Sequence, residues 1–119
     1  MILKGTKINI EIIPLKEQRY VTYGDYWFDD NNVLQVRASK EDIHGNPFDE
    51  RFIYGIILHE LFEFGIISHK GISIDKIEKF DKLYNGSDPG THPEAPYQKE
   101  HMEALAVEEM FYNHVDYNG

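Results

Sequence analysis

The chain is expected to be an α+β domain: a small antiparallel sheet of about three strands followed by three helices. Three observations predict this. Strand-like segments rich in β-branched and aromatic residues are confined to the N-terminal third. A long apolar segment bracketed by helix start and stop signals comes next. Two more helix-patterned stretches follow, separated by an interval rich in Gly and Pro. At 119 residues there is material for one core, so residues 1–119 form a single domain.

Each element has a local reason. Lys7 to Ile13 alternates, with Ile8, Ile10 and Ile12 on one side and Pro14 ending the run. Arg19 to Phe28 is rich in Tyr, Trp and Val, which suit a pleated, half-buried surface. Val33 to Ala38 follows the polar turn Asp29-Asp30-Asn31-Asn32, so a hairpin is expected there. Asn46 is expected to cap the first helix, with Pro47 at its first position and a run into the high sixties. Gly71 stops it, and Lys70 lies in the last turn, where a cation is favoured. Ser73 caps a second, shorter helix whose buried stripe is Ile74, Ile77, Phe80 and either Leu83 or Tyr84. Asn85 to Pro96 reads as a loop. A last helix, Tyr97 to Val115, aligns His101, Leu105, Glu108, Tyr112 and Val115 on one face.

The chemistry is concentrated in the first helix. Phe52 to Ile67 is among the most apolar stretches of the chain, yet it contains His59, Glu60 and Glu63. A buried helix tolerates ionisable groups only when they are paired or bind a metal. His59 and Glu63, at i and i+4, share one helix face one turn apart, the spacing at which two side chains hold one ion. Glu60 sits beside them, placed to act as a base.

Composition limits the alternatives. The sequence contains no Cys, so a metal site must use His and carboxylates, and disulfides are excluded. That composition fits a reducing cytoplasm. The N-terminus has no signal-peptide pattern, and no uninterrupted apolar run reaches membrane-spanning length, so no membrane partner is expected. A net charge of −9 argues against a general nucleic-acid binder, which needs a basic patch. The acids are scattered, as solubility alone requires.

The order of strands, motif helix, second helix, loop and later helix with His101 resembles the minimal core of zincin metallopeptidases. The likeness covers the chain from about Tyr20 onward. It is closest to small phage and mobile-element proteins of the repressor-cleaving type. In those, the motif is His-Glu-x-x-His and a Glu-x-x-Ala on the last helix supplies the third ligand. This chain has His-Glu-x-x-Glu at 59–63 and His101-Met102-Glu103-Ala104 at the later position. The resemblance implies His59, Glu63 and His101 as metal ligands, Zn²⁺ or another divalent ion as cofactor, and Glu60 as general base. It also implies a protein or peptide substrate, or a host protein partner. The two departures preserve the count of two imidazoles and one carboxylate, which suits a site with one open position.

His69 competes for the third ligand position, because metzincins place a His at that interval. It requires the chain to turn at Gly65; in a continuous helix His69 points roughly 80° away from His59. Glu108 and Asp81 are placed to support ligand imidazoles. Tyr97, His92 and Tyr112 are weaker candidates near a substrate, and His44 and His114 carry no argument. Two other readings stay open: a non-enzymatic acidic inhibitor of a host factor, and a purely structural buried network.

Overall fold

The structure is a computed structural model that describes residues 5–83 and 91–119. Its elements are β1 (Ile8–Ile13), β2 (Gly24–Phe28), β3 (Leu34–Ser39), α1 (Glu50–Lys70), α2 (Ile74–Leu83) and α3 (Gln98–His114). The α+β class and the strands-then-helices order agree with expectation. Tyr84 and the first part of the expected 85–96 loop lie outside the described residues.

The sheet is mixed rather than antiparallel. β3 is central in the order β1-β3-β2, with β2 antiparallel and β1 parallel to it. The reason is the connection after β1. Pro14 and a 3-10 turn at Leu15–Glu17 lead the chain to the far edge, where β2 enters. The hairpin then brings β3 back between the two. Asp29 closes that hairpin by accepting the N–H groups of Asn31 and Val33, with Asn32 in the left-handed region at φ 60°.

The second strand also starts later than expected, at Gly24. Arg19 is diverted instead to a bidentate pair with Asp25 (2.8 and 3.0 Å) and stacks over Trp27 at 4.0 Å. A third difference concerns β1. Its isoleucines pair in register with Leu34, Val36 and Ala38. Those three partners are completely buried, yet Ile8, Ile10 and Ile12 remain 44–45% exposed. α1 packs mainly on β2 and β3, which leaves the edge strand beyond its cover.

α1 begins at an Asp49 cap, not at Asn46: the Asp49 side chain accepts the Arg51 N–H at 2.8 Å. Asn46 is held in a turn by the Asp42 carboxylate, and Pro47 forms a bridge with Glu41. The expected stop is present, with Gly71 in the left-handed conformation at φ 71°. Ser73 caps α2 weakly, through the Lys76 N–H at 3.4 Å. Ile77 is buried as expected, whereas Leu83 is 74% exposed.

The core joins Tyr26, Leu34 and Val36 of the sheet to Phe64 and Ile67 of α1, Ile77 of α2, and Ala95 and Tyr97 before α3. Among the described residues, α1 alone is long and apolar enough, by length and composition, to cross a membrane. Here the same apolarity is used against the sheet and α3, its principal helical neighbour.

That helix pair depends on Gly55. A Cβ there would collide with the Tyr112 ring and hydroxyl, so the absent side chain makes room for the ring that α3 lays against α1. Gly55→Ala is therefore expected to lower stability by about 1–3 kcal/mol despite its better helix propensity. Urea unfolding checks this; an unchanged or raised midpoint would contradict the close approach.

Candidate metal centre

α1 presents His59 and Glu63 one turn apart on its buried side, and α3 brings His101 to meet them. His59 Nε2 lies 3.1 Å from Glu63 Oε2 and 3.1 Å from His101 Nδ1, and the last two are 2.9 Å apart. All three residues are buried, and their side chains converge closely enough to share one ion. Three donors bound tetrahedrally at about 2.1 Å lie about 3.4 Å from one another, a few tenths of an ångström wider than this triangle. The donor set therefore fits a small divalent cation with little adjustment.

Proton counting leads the same way. The centre encloses two imidazole nitrogens and a carboxylate oxygen, all within hydrogen-bond distance of one another. Two N–H groups here would point into the same small space, and with no N–H three lone pairs would face one another. A single positive occupant, a proton or a metal ion, relieves this conflict.

Each of the two α1 side chains of the triad is held from behind. The Glu108 carboxylate accepts from His59 Nδ1 at 2.9 Å, which directs the lone pair of the neutral imidazole at Nε2 toward the centre. Glu108 in turn accepts the Tyr112 hydroxyl at 2.6 Å. From β2, the Tyr26 hydroxyl donates to Glu63 Oε1 at 2.9 Å, leaving Oε2 for the centre. His101 lies edge-on to Tyr97, with ring centroids 6.0 Å apart.

Glu60 is close to the triad but not part of it. Its Oε2 is 3.6 Å from His59 Nε2. It is buried and has no hydrogen-bond partner among the described residues. Gly24 makes its position feasible: a Cβ on that strand residue would stand 2.7 Å from Ile56 Cγ2 and 2.9 Å from Glu60 Cδ. All four side chains line a cleft of about 430 Å³. Its walls come from the segment before β2 (Tyr20, Thr22), from α2 (Ile74, Ile77) and from α3 (Leu105).

The electrostatics follow from burial among acids. Desolvation pulls the His59 pKa down, but hydrogen bonds to Glu108 and Glu63 and the charges of Glu60 and Glu63 outweigh it, raising it to about 10. Burial raises Glu60 to about 8, a shift increased by Glu63 and opposed by His59. For Glu63 burial also raises, yet the hydrogen bonds from His101 and His59 prevail and the net shift is downward.

The remaining sequence candidates are dispersed. His69 is outside the triad: α1 continues to Lys70, and His69 Nδ1 bonds the Gly65 carbonyl at 2.8 Å. Asp81 accepts the Tyr97 hydroxyl at 2.5 Å rather than supporting a ligand, and burial raises its pKa to about 6. Tyr112 acts through Glu108, and His92 packs near Phe80. His44 and His114 are exposed. Sequence reasoning missed Tyr26, Gly24 and Gly55. Only Gly55 gave a signal, as a glycine inside an apolar helix.

No family profile, curated protein or solved structure matches this chain.

In metal-free protein the raised His59 pKa favours the protonated ring in the folded state. Its stabilising contribution is complete below the unfolded value of about 6.5 and fades as pH rises through about 10. Chelator-treated protein is therefore expected to lose urea resistance between neutral pH and pH 10, and Glu108→Gln to flatten that slope. A stability that rises over this interval would contradict the assignment.

Proposed function

We propose that this chain is a zincin-like, metal-dependent hydrolase of peptide bonds. His59, Glu63 and His101 hold Zn²⁺ or a similar divalent ion, and Glu60 acts as general base. The observation that carries this reading is the division of labour at the centre. Three donors converge on one point, two of them are oriented from behind, and a second carboxylate, Glu60, lies alongside, 3.6 Å from His59 and without a direct hydrogen bond. A network built for structure alone has no need of a further carboxylate that opens on the cleft and makes no direct hydrogen bond to the cluster.

When bound, the cation supplies Lewis acidity, lowering the pKa of water and polarising a carbonyl. The protein supplies the remaining steps. Glu60 removes a proton from the attacking water as its oxygen bonds to the carbonyl carbon. It then returns that proton to the amine as the C–N bond breaks. Glu108 keeps the His59 lone pair directed inward, and Tyr26 occupies one oxygen of Glu63. Having Glu63 where zincins carry a second His makes the donor set harder, so Mn²⁺ joins Zn²⁺ as a suitable ion.

Protein purified without a His tag is expected to carry about one equivalent of divalent metal, measured by elemental analysis. Chelation is expected to lower the melting temperature, and His59→Ala and His101→Ala to abolish metal retention. Metal-free protein with an unchanged melting temperature in chelator would instead leave a buried hydrogen-bond network.

Glu60→Gln is expected to retain metal while losing at least about 10²-fold in peptide hydrolysis. Full activity in that variant would remove Glu60 from the chemistry. Tyr26→Phe is expected to weaken metal affinity about 10–100-fold without unfolding the protein, read by competition with a chromophoric chelator.

A further inference from the structure

β1 lies at the sheet edge opposite β2, the strand that reaches the metal centre. Its hydrogen-bonding phase is known. Lys7 C=O accepts from Leu34 N–H at 2.9 Å and Ile13 C=O accepts from Lys40 N–H at 2.8 Å, so the odd-numbered residues of β1 face β3. Alternation then turns the N–H and C=O groups of Ile8, Ile10 and Ile12 to the open edge. Their side chains are the 44–45% exposed isoleucines on the core-facing side of the sheet. An apolar edge that no described residue covers is unusual, because such strands template pairing with another chain.

We propose that this edge joins two copies of the chain through an antiparallel β1–β1 pair centred on Ile10. The segment Ile8-Asn9-Ile10-Glu11-Ile12 is self-complementary about that point. A twofold axis through Ile10 sets Ile10 against its copy and Ile8 against Ile12. These are the residues whose backbone groups face outward, so each pair exchanges both backbone hydrogen bonds. Asn9, whose amide already donates to Glu11 and Gln35 of its own chain, falls opposite the Glu11 of the copy, so the two Glu11 carboxylates are not set directly against each other. The contact is isologous and therefore closes as a dimer.

The same axis, normal to the sheet, leaves α1 and its copy on one side, flanking the isoleucine ladder. The isoleucines alone expose roughly 250 Å² per copy, against roughly 800 Å² for each partner of a standard interface. An interface this far below standard size makes a weak, concentration-dependent dimer the expected result. Repulsion between two copies of charge −9 is screened beyond about 8 Å at physiological salt.

The test is sedimentation equilibrium of the full chain across micromolar concentrations, for wild type and Ile10→Lys, with circular dichroism as a folding control. Wild type is expected to approach twice its 14.0 kDa mass as concentration rises. Ile10→Lys sets two like charges face to face, and its dissociation constant is expected to rise at least tenfold. Because the chain has no Cys, Ile10→Cys introduces one thiol that meets its own copy. A short bis-maleimide is expected to cross-link that variant efficiently, and Met110→Cys, exposed on α3, far less. A wild-type chain that stays monomeric overturns the proposal, as does a dimer unaffected by Ile10→Lys. Equal cross-linking of the two Cys variants also overturns it, and the cross-linking result decides if Ile10→Lys does not fold.

Discussion

His59, Glu60 and Glu63 lie on the face of α1 that the fold buries, and the neighbouring elements are arranged to satisfy His59 and Glu63. Burying an imidazole and two carboxylates costs several kcal/mol unless each gains a partner. α3 supplies His101 and Glu108, and β2 supplies Tyr26. The two elements that contribute these partners must therefore approach α1 closely. Glycine makes both approaches feasible: Gly55 where α3 meets the helix and Gly24 where the strand does. Packing geometry and site chemistry are thus one constraint here.

Partnering is also unequal across the cluster, and that inequality gives the site its direction. Glu63 is bonded through both oxygens, and its pKa is held below the ordinary range. Glu60 lacks such bonds, and burial drives its pKa upward. Two carboxylates three residues apart on one helix are thereby separated, one held anionic by its hydrogen bonds and the other pushed toward its protonated form by burial. This separation of paired acids is a recurrent physical basis for assigning acid–base roles. The hydrolase reading draws on it.

The mixed sheet separates two surfaces. β2 faces the cleft and the centre, whereas β1 occupies the opposite edge with its isoleucines half covered. An antiparallel meander would have put β2 in the middle and removed it from the edge beside α1. Placing β3 at the centre leaves one edge strand for the site and the other free to pair.

Much was legible in the sequence because it rests on local physics. Helix period alone puts His59 over Glu63 and aligns His101 with Glu108 and Tyr112. The Asp29–Asn32 turn and Gly71 mark their chain reversals through backbone preference, and the α+β order follows from where each pattern occurs. What stayed hidden depends on distance in sequence. Strand alternation says which residues share a face but not which strands are neighbours, so the parallel β1–β3 pairing could not be read. Tyr26 has no spacing relation to Glu63; the two meet only because α1 lies across β2. The choice of His101 over His69 was likewise decided in three dimensions. A continuous α1 turns His69 away, and the α1–α3 packing that Gly55 permits carries His101 in.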